Sequence, residues 1–341
     1  MIKFQLNGQS IHYSGDQNKS LLVYLREDLN ITSAKDGCSG QGSCGACMVN
    51  INGEAKLACL TKISKLHNAE IKTLEGIDEK RTETLGRDLV EQGAVQCGFC
   101  TPGIVISTDI MLNKQLEFSK QNIEKTLKPH LCRCTGYVKI TEGISYAHKI
   151  IKEDKSITLD FDKKGIGQAL PKYQAVETAL GKRHFVNDMH FDGMLHSALR
   201  YSDYPKARIK SINIFEAERL KGVIKVFTAK DIPGNIKTGL IYPDWPLLIP
   251  CGEVTNYIGD VLAGVVAESE EIARLAATLI QIEYEVLEPI TDMHLALKAE
   301  AIKVHEDREN LLSKTKIKIG NSFSDVEQEP ELVVHEIFET Q

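Results

Sequence analysis

Eight of the nine cysteines fall into two quartets whose residue type and spacing suit iron. The first is Cys38, Cys44 and Cys47 in the run GCSGQGSCGAC, with Cys59 a little further on; the second is Cys97 and Cys100 in CGFCTPG, with Cys132 and Cys134 in LCRCTGY. Two thiolate quartets of different internal spacing point to two different iron-sulfur clusters, and so to a path for single electrons. The glycines of the first run let the backbone fold tightly and aim its amides at sulfur, which stabilises a negative cluster. The alternatives there are zinc or unliganded core cysteines, but three ligands in one loop fit poorly with the paired knuckles of zinc sites. Cys97 and Cys100 lie just ahead of a helix start at Thr101-Pro102, where unpaired amides and the helix dipole favour negative charge. Cys132 and Cys134 come from a turn before the next helix. Because pair-plus-pair is also a zinc pattern, zinc stays open for this quartet.

Other candidates carry less. Gly40-Gln41-Gly42-Ser43-Cys44-Gly45 formally matches the dinucleotide-binding fingerprint, but that motif needs a strand before it and a helix after it. Here a helix precedes and the strand CMVNI follows, so the match is accidental. His184, His190 and His196 recur every six residues, which fits neither a helix face nor a zinc knuckle; they read as surface or strand histidines. Cys251 reads as a buried or loop thiol with no partner, and Trp245 as packing under the same loop.

The elements that must position the cysteines follow from periodicity. Alternation at Ile2, Phe4 and Leu6, then Ile11 and Tyr13, flanks an Asn7-Gly8 turn, and a second turn falls at Asn52-Gly53. LLVYLREDL has the apolar spacing of one short helix. A small sheet with one crossing helix and a cysteine-bearing loop resembles the plant-type ferredoxin, or β-grasp, domain. From about Asp78 the periods become helical. Thr101 is expected to cap a helix from Pro102 to about Leu112, Ser119 one through Leu127, and a further helix follows Gly136 through Lys152. Residues 156–170 read as a linker. Beyond it MLHSALRYS, VIKVFTA and the doubly buried VLAGVVA read as strands, and Ser269 caps a helix with an apolar face. The chain ends in LVVHEIFETQ, which reads as a strand; this suggests a larger domain that has been cut off or is supplied by another chain.

At 341 residues the chain has room for two to four domains, and a net charge of -6 excludes a nucleic-acid binder for want of a basic stripe. No signal peptide or membrane span is evident. Nine cysteines without those features favour metal binding in reducing cytoplasm.

With both quartets in this order and the segments CGFCTPG and CRCTGY, the chain resembles the xanthine dehydrogenase and aldehyde oxidoreductase family of molybdenum hydroxylases. QALPKYQAVETALGKRHFVNDMHFDGMLHSALRYS, KGVIKVFTAKDIPG and YIGDVLAGVVAESEEIARLAA resemble its α/β hammerhead domain. The resemblance implies a multidomain α+β chain: a β-grasp ferredoxin-like domain at 1–77, a small four-helix iron-sulfur domain at 78–155, the linker, a hammerhead domain at 171–300, and the start of a molybdenum-binding region at 301–341. It further implies two 2Fe-2S clusters and a molybdenum-pterin cofactor bordered by Gln96 and Cys134. Electrons would leave through the second quartet and then the first, toward a ferredoxin, a flavoprotein or a separate flavin subunit. The catalytic glutamate and most molybdenum contacts of the family would lie beyond residue 341.

Three departures stand out. Five residues separate Cys38 from Cys44, where the family usually has four. The family's Gly-Gln-Pro reads Gly259-Asp260-Val261. The flavin domain between the helical and hammerhead domains is replaced by the short linker, as in flavin-free members. The substrate implied is a purine-like heterocycle or an aldehyde; the KDGCSGQG loop and missing flavin domain lean toward the purine class. The alternative is an electron-transfer subunit serving a separate molybdenum chain.

Overall fold

Asn7 and Gly8 both take left-handed backbone angles, as do Asn52 and Gly53, the conformation that a two-residue hairpin turn requires. They close two hairpins, β1 (Ile2–Leu6) with β2 (Gln9–Tyr13) and β3 (Met48–Ile51) with β4 (Glu54–Leu57). β5 (Glu70–Lys72) lies between them, parallel to β1 and antiparallel to β3, so the sheet runs β2-β1-β5-β3-β4. LLVYLREDL is helical, but as one α turn, α1 (Leu21–Val23), that runs into a π-helical turn at Tyr24–Asp28. It buries Leu21 and Leu25 on Phe4, Val49, Ile63 and Ile71.

A second core follows. α2 (Glu79–Glu91) begins at Asp78, whose carboxylate accepts the Arg81 N–H. α3 (Thr101–Asn113) is buried from Thr101 to Met111; its polar Ser107, Thr108 and Asp109 are buried with the apolar residues and bonded to His130, Ile104 O and Arg81. Its cap position is held by Cys100; the expected cap, Thr101, lies inside the helix because the turn starts one residue early at the cysteine. α4 (Lys120–Leu127) starts after Ser119 as expected, though the Ser119 hydroxyl makes no capping bond. α5 (Val138–Lys152) packs on α2, and Leu85, Leu89, Ile104, Val105, Ile140 and Ile144 meet between the helices. Leu159, inside the expected linker, is buried in the same core. α6 (Ala175–Ala179) adds Ala175 and Ala179 to it.

The computed structural model describes residues 1–162, 164–317, 319, 336 and 338, and divides into compact units at Met1–His190 and Phe191–Gln341. In the second unit β6 (His196–Tyr201), β8 (Val223–Thr228) and β11 (Val261–Ala267) form an antiparallel sheet with β11 central, as its doubly buried pattern anticipates. β7 (Ala207–Asn213) follows β6 and pairs with β12 (Gln281–Val286) as a ribbon. The short α7 (Phe215–Arg219) leads into β8, and β9 (Lys237–Thr238) pairs with β10 (Trp245–Pro246). α8 (Glu270–Leu279), whose Ser269 cap accepts the Ile272 N–H, sets Ala273, Ala276 and Ala277 toward the core, and α9 (Met293–Ala296) is the last element among the described residues. Gly264 in β11 is required by packing: a Cβ there would lie 2.1 Å from the Phe227 ring. Trp245 is 62% exposed, so the expectation that it packs beneath a loop is wrong; it sits on a two-residue strand. Cys251 is exposed. The strand expected over 332–341 falls in a stretch of which only Glu336 and Phe338 are described.

Candidate metal centres

The first quartet is assembled by a loop wound through left-handed angles at Ser39, Gly40, Gly42 and Gly45. Such turns point successive N–H groups inward, making a concave donor surface for an anion. The loop is tied down at both ends: Lys35 donates its N–H to Ala46 O at 3.0 Å, Gln41 to Cys38 O at 3.1 Å, and Ala58 to Cys47 O at 3.1 Å. Asp36 Oδ1 accepts the Cys38 N–H at 3.3 Å. Cys59 arrives on a single helical turn at Ala58–Leu60. Burial raises the Cys38 thiol, but the amides of Ser43 and Cys44, with the Cys44 thiol, outweigh it and bring it down to about 7. Burial dominates at Cys47, which is pushed up to about 12.

The second quartet joins a helix start to a turn. Cys97 and Cys100 flank Phe99 at the head of α3, and Cys132 and Cys134 sit in a turn fixed by Tyr137. The Tyr137 hydroxyl donates to His130 O at 2.9 Å and accepts the Cys132 N–H at 2.8 Å. Cys132 Sγ lies 3.2 Å from the Thr135 hydroxyl. Burial raises Cys97 and Cys100; at Cys132 it is outweighed by the Thr135 hydroxyl and the amides of Thr135 and Cys134, so that thiol falls. Cys100 and Cys132 are buried, whereas Cys97 and Cys134 are exposed, as is the neighbouring Gln96. Lys172 donates its ammonium to Gln96 O on that open side.

Within each quartet the thiols gather two by two. Cys38 neighbours Cys44, Cys47 neighbours Cys59, Cys97 neighbours Cys134, and Cys100 neighbours Cys132. Among the described residues no three or more His, Cys, Asp or Glu side chains gather around one metal ion. Two pairs facing each other are what a dinuclear cluster needs, since each iron takes two protein sulfurs. Four soft donors with amides aimed at them fit a 2Fe-2S cluster chemically.

The buried sides of the two quartets meet. Leu131, next to Cys132, donates its N–H to Cys44 O at 2.9 Å. The approach is close enough to need glycine: Gly45 has φ +71, and a Cβ there would lie 2.3 Å from Pro129 O. His130 fills the joint, its Nε2 at 2.8 Å from Ser107 Oγ. Burial holds its imidazole down at about 4, so it is neutral at pH 7. Tyr137 and His130 were passed over by the sequence reading; the nearest signal was the LKPHLCRCTGY run itself, which places both within five residues of Cys132. The remaining histidines considered from sequence, His184, His190 and His196, do not join either quartet, and Gly40 to Gly45 forms the cysteine loop rather than a strand-to-helix turn.

Comparison with known proteins agrees with this layout. A family profile described as a 2Fe-2S iron-sulfur cluster binding domain matches residues 11–94, one described as a 2Fe-2S binding domain matches 73–145, and the a/b hammerhead domain of aldehyde oxidase and xanthine dehydrogenase matches 180–288. The aldehyde oxidoreductase of Megalodesulfovibrio gigas is 33% identical over 90% of this chain and 36% of its own length. The nicotinate dehydrogenase small FeS subunit of Eubacterium barkeri is 40% identical over 43% of this chain and 93% of its own. Among solved structures, the aldehyde oxidoreductase of Desulfovibrio desulfuricans superposes with a TM-score of 0.81 at 31% identity, covering 91% of this chain and 36% of that one. The chain thus spans about a third of the aldehyde oxidoreductases it matches and nearly all of a small iron-sulfur subunit. No described helix is long and apolar enough to cross a membrane. The chain belongs to the xanthine dehydrogenase and aldehyde oxidoreductase family of molybdenum hydroxylases and carries that family's iron-sulfur and hammerhead portion.

Proposed function

We propose that this chain conducts electrons away from a molybdenum-pterin site through two 2Fe-2S clusters, one held by Cys97, Cys100, Cys132 and Cys134 and the other by Cys38, Cys44, Cys47 and Cys59. The observation that carries the direction is the asymmetry of the second quartet. Its exposed pair, Cys97 and Cys134, opens beside Gln96 to the outside, while Cys132 is one residue from the hydrogen bond to Cys44. An electron entering at the exposed edge therefore has a short bonded and hydrogen-bonded route to the first quartet. The molybdenum of a molybdenum-pterin cofactor, when bound, would supply transfer of a water-derived oxygen to an electron-poor carbon; Gln96 and Cys134 would border the pterin.

The modules are a β-grasp domain at 1–77, a four-helix domain at 78–155 and a hammerhead domain at 171–300, with 301–341 leading into a molybdenum-binding region. Relatives that share nearly all of this chain are aldehyde oxidoreductases, which favours an aldehyde over a purine as the first substrate class to test. A second reading is supported by the small-subunit relatives: the chain serves a separate molybdenum subunit and passes its electrons to a ferredoxin, a flavoprotein or a flavin subunit. The hammerhead match at 180–288 favours the first reading.

The test is Cys134→Ser in protein purified without oxygen, followed by electron paramagnetic resonance of the reduced sample. The proposal expects loss or alteration of one cluster signal with the other intact, because the two quartets sit in separate hydrophobic cores. Loss of both signals, or of neither, contradicts the assignment.

A further inference from the structure

Three charged side chains are buried beside the first quartet without belonging to it. Lys35 is 0% exposed, and its Nζ lies 2.6 Å from Asp188 Oδ2, while the Arg26 guanidinium lies 2.7 Å from Asp188 Oδ1. Arg26 also donates to Ala34 O at 3.0 Å and Asn187 O at 3.1 Å, and Asp188 Oδ2 accepts the Phe185 N–H at 2.9 Å. Burial alone would raise the Asp188 carboxyl, yet Lys35, the Phe185 amide and Arg26 together hold it below its ordinary value, so it is ionised. Burial lowers the Lys35 ammonium from its ordinary value, opposed by its bond to Asp188; the 2.6 Å contact with an ionised carboxylate is that of a protonated lysine, so two cations and one anion leave a net positive charge shielded from water. The other acids nearby, Asp36 and Glu75, are exposed and screened.

The triad reaches the quartet through short contacts. Lys35 is bonded through its main chain to Ala46, between Cys44 and Cys47. Its ammonium lies 5.1 Å from the Phe185 ring centre, and that ring packs edge-on against Phe99 at 5.2 Å. A Cβ built on Gly37 would lie 3.0 Å from Phe99 Cε1 and 3.1 Å from Cys44 Sγ, so ring edge and sulfur border the same backbone position. A cluster that accepts one electron gains one negative charge, with no bond made or broken. Unscreened positive charge nearby stabilises that reduced form and raises the potential.

We propose that Lys35 and Arg26, partly neutralised by Asp188, set the reduction potential of the cluster held by the first quartet, and that the segment following the linker acts on that cluster by supplying Asp188. The inference rests on the reading that this quartet holds a 2Fe-2S cluster, and the test separates the two. The full chain and its Asp188→Asn, Lys35→Met and Lys35→Arg variants are purified without oxygen, and iron and sulfide are measured first. Each cluster signal is then titrated with dithionite under electron paramagnetic resonance, the first-quartet signal being identified by its loss in Cys59→Ser. Asp188→Asn should favour the reduced first cluster by roughly tenfold at a fixed potential, about 59 mV for one electron. Lys35→Met should shift it the other way, Lys35→Arg should stay near wild type, and the second cluster should move far less. If Asp188→Asn folds poorly, the contrast of Lys35→Met with Lys35→Arg decides alone. Wild-type protein without iron would sink the underlying reading. Full iron with unmoved potentials, or a shift of the same sign in Asp188→Asn and Lys35→Met, would overturn the inference, since the effect would then be absent or due to packing.

Discussion

Asp88, in the middle of α2, is 0% exposed, and neither of its carboxylate oxygens has a hydrogen-bond partner. Burial, reinforced by the charge of Glu91, pushes its carboxyl up to about 7. The folded pKa is therefore above the unfolded one, near 4. The folded state holds the extra proton between those values, so stability falls as pH rises from about 4 through 7 and the loss is complete above that. Asp88→Asn should abolish this slope and stabilise the protein at pH 8 by about 2–4 kcal/mol. Denaturant unfolding of both forms at pH 5 and pH 8 measures it, and an unchanged slope would contradict the account. Asp88 and the Lys35–Asp188–Arg26 triad were not legible in the sequence. What makes them unusual is burial without a hydrogen-bond partner at Asp88, or a partner more than 150 residues away in the triad. The cysteine quartets were legible because ligand spacing is local.

At the scale of elements, hairpins and helices whose signals are local emerged where the residues said. The Asn-Gly turns, α3 and the Ser269-capped α8 are examples. β7 and β12 were missed although Ile282, Tyr284 and Val286 alternate with polar residues as a strand should; both are half exposed and neither carries the continuous apolar run that marked VIKVFTA and VLAGVVA. The π turn at Tyr24–Asp28 was also hidden, since its apolar spacing is that of an ordinary helix. The joint between the two iron-sulfur modules depends on Gly45 approaching Pro129. Gly45→Ala would meet Pro129 O while also straining a left-handed backbone angle, and the atom it meets most closely is backbone, which cannot swing aside. Loss of at least 2 kcal/mol is expected, in the range of strained-backbone and overpacking costs. Thermal unfolding of the purified variant, with the cluster signals followed in parallel, gives the answer; a melting temperature equal to wild type would show that the joint can open without cost.

For the whole molecule, module order was legible from two cysteine patterns and the hammerhead segments, since each is specific and contiguous. Less legible was how residues 172–188 behave. Assigned by sequence to the hammerhead, they pack within Met1–His190, where Thr178 meets Gly98, Leu180 meets Gly86 and Asp188 meets Lys35. A stretch without strong periodicity, held by single side chains on surfaces distant in sequence, leaves no local pattern to read. The central claim is that both quartets hold iron in pairs. Its most direct test is metal and sulfide analysis of the chain purified without oxygen, with its visible spectrum. About four irons and four sulfides per chain, with visible absorption that bleaches on reduction, are predicted; stoichiometric zinc and a colourless protein would contradict it.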